Sequence, residues 1–303
     1  RHDARSQGPK AALPLSAPRT SFNATISRRR RIAYAAVSLD DVKALKNELG
    51  TTVNDVVLAI CTGALRRFLV DGEELPDRPL VAVVPVSVRN DEVTTGSNQV
   101  SAMFVQLPSH LDEPLDRLSA IREGTQSAKE EHNALGADLL INWAEYAAPN
   151  VFAAAARFYT GMGLANRHRP IANLVVSNVP GPDFPLYLGG AELVAGFPLG
   201  PVMDGMGVNV TIMSYRGVLY WGIIACPEVM PRAWDLASAV APALEELMEA
   251  AGLAPPRAIS ILEAEAVVDP SDGGSDQGAG ATDIDEAPEH TAIGFPKADV
   301  VGS

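Results

Sequence analysis

Four groups of residues in this 303-residue chain have types and spacing suited to chemistry. Ser177 and Asn178 close an apolar, β-branched run just before Pro180-Gly181. Proline presets φ and glycine accepts a positive φ, so a type II turn is expected there. Both side chains would then stand at the mouth of a sheet, where donors can face a developing oxyanion. Holding the turn or lining a substrate channel are the alternatives. Asn54 and Asp55 head an otherwise apolar helix and either start it or order an interface or an acceptor site. Arg28, Arg29, Arg30 and Arg31 form a basic run, read as a solvated linker face or as a dock for anionic groups. Arg89 and Asn98 end and begin buried strands, which brings them toward one edge.

Other chemistries find no footing. Gly161-Met162-Gly163 lacks the third glycine and the lysine of a nucleotide loop, and there is no GxSxG elbow. Cys61 and Cys226 sit in apolar runs and read as buried, reduced thiols, too few for a zinc site of Cys pairs. The net charge of -13 is unevenly spread: from Glu263 onward acids crowd together with Lys297 as the only base. The acidity therefore belongs to a tail, and nucleic-acid binding gets no support. No apolar run reaches the roughly 18–20 residues of a membrane span.

The elements that must position these residues follow from periodicity. Residues 1–30 are polar and irregular and read as a linker from an upstream domain. Residues 31–258 form a domain, and 259–303, rich in Gly and Asp, an acidic disordered tail. Within the domain a strand is expected at Ile32–Val37, then a short helix with Ser38 as N-cap and Gly50 as terminator. The helix Asn54–Leu69 follows, with Arg66 and Arg67 suited to its C-terminal dipole. Strands are expected at Leu80–Val88, with Pro85 marking an edge or bulge, and at Val100–Leu107. Helices Pro114–His132 and Ala137–Tyr159 come next, then strands Leu174–Val179, Val208–Ser214 and Leu219–Ala225, and a last helix Arg232–Ala251. The fold class is α/β, with α+β possible: a mixed β-sheet with flanking helices.

Five blocks of sequence carry a resemblance. NDVVLAICTGALRRFL (Asn54–Leu69), PVSVR (Pro85–Arg89), GSNQVSAMFVQLP (Gly96–Pro108), ANLVVSNVPGP (Ala172–Pro182) and GVNVTIMSYRGVLYWGI (Gly207–Ile223) resemble, in order, the C-terminal portion of the bacterial wax ester synthase/diacylglycerol O-acyltransferases. The likeness spans roughly Arg31 to Gly252. It implies a chloramphenicol-acetyltransferase-like half. It also implies transfer of an acyl group from acyl-CoA, as co-substrate with no bound cofactor, to diacylglycerol or a long-chain alcohol. Asn54, Asp55, Arg89, Asn98, Ser177, Asn178 and Gly181 would line the channel or an interface, and Arg28–Arg31 would meet CoA phosphates or lipid headgroups.

One departure decides the reading of catalysis. That family uses HHxxxDG, whose second histidine is read as the general base. Here His2, His110, His132, His168 and His290 are isolated, and none has Asp four residues on. The base is therefore expected in an upstream catalytic half, and this chain alone is expected to be close to inactive. A non-catalytic lipid-binding or interaction module on the same fold is the rival, and a condensation-type amide-forming enzyme a third option. The implied location is cytoplasmic, or peripheral on the inner membrane or lipid inclusions.

Overall fold

Ser38 ends β1 (Arg31–Ser38) and caps α1 (Leu39–Glu48): its hydroxyl accepts from the Asp41 amide at 3.1 Å. Gly50, at φ 59°, then turns the chain toward α2 (Val53–Asp71). The computed structural model describes residues 15–87, 100–135 and 168–259. The remaining elements are β2 (Leu80–Ser87), β3 (Val100–Leu107), α3 (Pro114–Leu135), β4 (Leu174–Val179), β5 (Tyr187–Leu188), β6 (Ala191–Glu192), β7 (Val208–Tyr215), β8 (Val218–Ala225), α4 (Ala233–Ser238) and α5 (Val240–Ala250). The expected helix Ala137–Tyr159, Arg89, Asn98 and the tail from 260 lie outside the described residues.

Six strands form one mixed sheet in the order β1-β8-β7-β4-β2-β3. β4 runs parallel to both β7 and β2, while β1, β8 and β3 join antiparallel to their neighbours. The expected α/β class with a mixed sheet and flanking helices is what forms. One face carries the helices. Alternate residues such as Ala33, Val37, Trp221, Ile223, Val210, Ile212, Leu174, Val176, Ala82 and Val105 point into that core. α2 lies at its centre, buried on every side from Asp55 to Leu65. A helix apolar all round can only be stable when wrapped, and each buried Val, Leu or Ile contributes about 1.5–3 kcal/mol.

Several boundaries differ from expectation, each for a physical reason. α2 runs on to Asp71, so Arg66 and Arg67 are not in its last turn and do not serve its dipole. Arg66 instead donates to the Ser109 carbonyl (2.8 Å) and pairs with Asp112, while Arg67 reaches Glu246 at 3.3 Å. The last helix is two, broken at Ala239, because Pro242 has no N–H to return to Ser238. Glycines 189 and 190, at φ 60° and 87°, close a β5–β6 hairpin of the type I′ class that hydrophobic periodicity alone did not pick out.

The opposite face of the sheet is covered by two irregular segments. From Leu15 on, the stretch expected as a linker is built into the domain, with Ala17, Phe22 and Asn23 buried. Asn23 and Asn173 form a buried knot. Asn23 Nδ2 donates to the carbonyls of Asn173 (2.9 Å) and Gly205 (2.7 Å), and Asn173 Nδ2 donates to the Pro18 carbonyl (2.7 Å) and to Asn23 Oδ1 (2.7 Å). Residues 193–206 strap β7, β8 and β1. Phe197 packs on Tyr34 (4.6 Å between centroids) and edge-on to Tyr220 (5.3 Å).

Candidate substrate channel

The sheet has one discontinuity. β4 pairs with β7 along its length, to Val179↔Met213, but with β2 only at Ala82↔Leu174 and Val83↔Val175. Beyond that point the two parallel strands are no longer paired, although β2 runs on to Ser87. Pro85 accounts for this. The Val81 amide donates to Asn173 Oδ1 (2.8 Å) and its carbonyl accepts from the Asn173 amide (2.7 Å), so Val81 faces β4. By the period of two, Val83 and Pro85 face β4 as well, and Pro85 has no N–H to offer. The edge expected at Pro85 is thus an internal one. Carboxyl ends of parallel strands, where neighbouring strands diverge, are where open α/β sheets take ligands.

Ser177 and Asn178 line this parting on the β4 side, and both are half-buried. Alternation sends Ser177 to the strapped face with Val175 and Asn178 to the helix face with Val176. Gly181 departs from the expected turn: it is absent from the positive-φ glycines. Its amide donates to Ser214 Oγ at 3.0 Å, and a Cβ there would sit 2.1 Å from the Ser214 carbonyl oxygen. Close approach to β7, not left-handed φ, demands glycine here.

The N-terminus of α2 comes to the same end of the sheet. Arg66, late in α2, bonds just past the end of β3, where Leu107 pairs with Leu80 at the start of β2. The head of α2 therefore points toward the ends of β2 and β4. There Thr52 and Asp55 form a reciprocal capping box: Thr52 Oγ1 accepts from the Asp55 amide (3.1 Å), and Asp55 Oδ2 accepts from the Thr52 amide (3.2 Å). Asp55 also accepts from the hydroxyls of Thr51 (3.0 Å), Thr52 (2.6 Å) and Thr125 (2.8 Å), the last tying α2 to α3. Burial raises the Asp55 pKa, but these bonds outweigh it and hold the carboxyl below its ordinary 3.8. With every oxygen engaged, Asp55 positions a helix; it is not free to accept a proton from substrate. Asn54, at the next position toward the cap, is half-buried.

The basic run is not gathered into one anion site. Arg29 pairs with Glu228 at 3.3 Å, Arg30 donates to the Ser27 and Arg29 carbonyls, and Arg31 to the Pro231 carbonyl, leaving Arg28 exposed. Glu228, hydrogen-bonded by Cys226 Sγ (3.0 Å) and Ser27 (2.8 Å), is pulled down to about 2. Burial pushes the Cys61 thiol up to about 12, so it is inert. His110 follows the end of β3 and His168 precedes the start of β4, both at the end of the sheet opposite the parting. Among the described residues there is no cluster of metal-ligating side chains and no helix long and apolar enough to cross a membrane.

Two features escaped sequence reading. Arg117, in α3, is fully buried, donating to Glu246 (2.8 Å) and to the Leu111 and Asp112 carbonyls. Only its i, i+4 spacing with Ile121 on the apolar face hinted at this. The Asn23–Asn173 knot joins residues 150 apart and left no local signal.

Comparison with known proteins completes the picture. The model of the WS/DGAT C-terminal domain matches residues 96–248, and that of the wax ester synthase/diacylglycerol acyltransferase catalytic domain matches residues 1–57. A putative diacylglycerol O-acyltransferase of Mycobacterium tuberculosis is 42% identical over 243 residues, covering 80% of this chain and 48% of that protein. The O-acyltransferase WSD of Acinetobacter baylyi is 38% identical over 230 residues, 76% of this chain and 49% of that protein. The solved wax ester synthase/diacylglycerol acyltransferase from Marinobacter aquaeolei VT8 superposes with a TM-score of 0.62 at 33% identity, covering 78% of this chain and 53% of its own. The chain spans about half the length of these relatives.

Proposed function

Because the chain belongs to the wax ester synthase/diacylglycerol acyltransferase family, we propose that it forms the channel-shaping half of an acyl-CoA-dependent O-acyltransferase. The general base would come from an upstream catalytic half, and the products would be triacylglycerol, wax esters or both. The observation that carries this reading is the parting of β2 from β4, framed by Ser177, Asn178 and the head of α2. An extended acyl or pantetheine chain needs such a slot, with apolar walls and a few donors at its end. Val83, Val175 and Phe104 are the apolar wall here, and Ser177 with Asn178 the polar end. Asn54 orders the acceptor side, while Asp55 keeps α2 in place for it.

The test is acyl transfer from palmitoyl-CoA to dipalmitin or hexadecanol. The purified chain gives background rates, and rates rise when a catalytic half carrying HHxxxDG is supplied. Rates at the level of a complete relative from the chain alone would overturn the assignment of the base.

A further inference from the structure

On the strapped face of the sheet, beside the apolar wall of Val83, Val175 and Phe104, stands a short run of polar side chains. Asn209 and Thr211 on β7 and Ser177 on β4 share that face by alternation, and Ser177 is the register partner of Thr211. Asn209 is 2% exposed and Thr211 8%. A buried amide on a strand is costly unless it is bonded, and Asn209 is bonded twice. Its Nδ2 donates to the Pro201 carbonyl of the strap at 3.0 Å, and its Oδ1 accepts from Thr211 Oγ1 at 2.7 Å. The strap is shaped to receive it: a Cβ on Gly200 would lie 2.4 Å from Asn209 Nδ2.

The direction of these bonds is forced. A carbonyl oxygen only accepts, so Pro201 fixes the amide with Nδ2 toward the strap. Oδ1 then faces Thr211 and also only accepts, so the Thr211 proton is committed to it. What Thr211 offers its neighbour across the ladder is lone pairs alone. That neighbour, Ser177, is half-buried, and its hydroxyl has no hydrogen-bond partner among the described residues. A Ser hydroxyl turned onto a Thr oxygen is an ordinary cross-strand pairing.

We propose that Asn209 and Thr211 are positioning residues of the channel: they draw the Ser177 proton toward β7, so that Ser177 meets the substrate as a hydrogen-bond acceptor. The proposal rests on the function proposed above and names the group that Ser177 recognises, an N–H or O–H donor. Two of the proposed substrates carry one: acyl-CoA in the amides of its pantetheine arm, and the acceptor alcohol or diacylglycerol in its hydroxyl. A thioester carbonyl, and the oxyanion formed from it, only accept. They find no donor in Ser177, which leaves Asn178 as the donor at this end of the slot. The strap, through Pro201, thereby sets the polarity of a side chain it does not touch.

The experiment measures equilibrium binding of three probes to the full 303-residue chain. S-Octanoyl-N-acetylcysteamine carries an amide N–H, octan-1-ol a hydroxyl, and the octanoyl thioester of ethanethiol no donor. Ser177→Ala and Thr211→Val each weaken a donor-bearing probe about fivefold and leave the donorless thioester unchanged. The double variant binds like Ser177→Ala, because the two side chains act in series, and Thr211→Ser binds like the parent. A merely structural role for Thr211 would move all three probes together. Sensitivity confined to the amide probe assigns the donor to the acyl carrier; sensitivity confined to octan-1-ol assigns it to the acceptor. Thioester affinity that falls as far as that of the donor-bearing probes, or no loss with any probe, overturns the positioning role and leaves the channel standing. Failure of every probe to bind the parent chain overturns the channel itself, and this inference with it.

Discussion

The two halves of the sheet are built to opposite ends. From β1 through β8 to β7 every strand is paired in full register and covered on both faces, by helices on one side and the 193–206 strap on the other. From β4 to β2 the ladder stops after two residue pairs, and among the described residues the strand ends and the head of α2 frame the gap. The difference is written in two residues. Gly222 lets the Pro198 carbonyl come so near that a Cβ would sit 1.8 Å from it, sealing the strapped half. Pro85 withholds an N–H and keeps the other half apart. One half spends its residues on closure, the other on an opening.

The largest effect expected from testing this contrast is on the closed side. Gly222→Val forces the strap off β8 and lowers unfolding free energy by about 3 kcal/mol, read by urea denaturation. A loss below about 1 kcal/mol would mean that the strap is not packed as described. Next is Asp55→Ala, which removes half the capping box and strands the buried Thr51 hydroxyl, at a cost of about 2 kcal/mol in the same assay. The pH dependence has a fixed sign. The folded pKa of Asp55 lies below its unfolded value, so its contribution is complete above about 3.8 and fades as pH falls through the folded value. In Asp55→Asn the acid limb of the stability curve is correspondingly flatter; an unchanged limb would remove Asp55 from the account.

On the open side, Pro85→Val restores a donor toward β4. Stability should rise by about 1 kcal/mol or less, with the new amide becoming protected from hydrogen exchange as the strands close up. Fast exchange at that amide would show that Pro85 is not what holds the strands apart. The smallest stability effect belongs to Asn54→Ala, within about 0.5 kcal/mol, because Thr52 and not Asn54 caps the helix. In a complex with the catalytic half the same substitution should cut turnover at least tenfold. Retained turnover would make Asn54 an ordinary helix position.

What could be read from the sequence were the features carried by neighbours. β4 appears at Leu174–Val179 as expected because its apolar run stops at Pro180, and Ser38 announces α1 because its partner Asp41 is three residues away. Gly189-Gly190 carried an equally local signal, a two-residue turn, but the two-residue strands beside it have too few positions to show a period. Arg117 was invisible for another reason. Its partner Glu246 lies 129 residues on, and the burial of a charge is decided by that pairing. The site was legible to the same degree. Ser177 and Asn178 could be placed at a strand end, whereas the gap beside them depends on β2 and β4, which are distant in the chain.

The pairing of β1 with β8 has a bearing on how the protein is made. The first strand of the described sheet has one partner in it, the last, with Arg31 opposite Ala225. At ~5–20 residues per second, β1 and the largely apolar α2 wait about 10–40 s for that partner. During that interval an unpaired strand edge and the apolar stretch of α2 from Val56 to Leu65 are both without their cover. Soluble yield should therefore depend on what shelters the nascent chain, and slower translation should lower it.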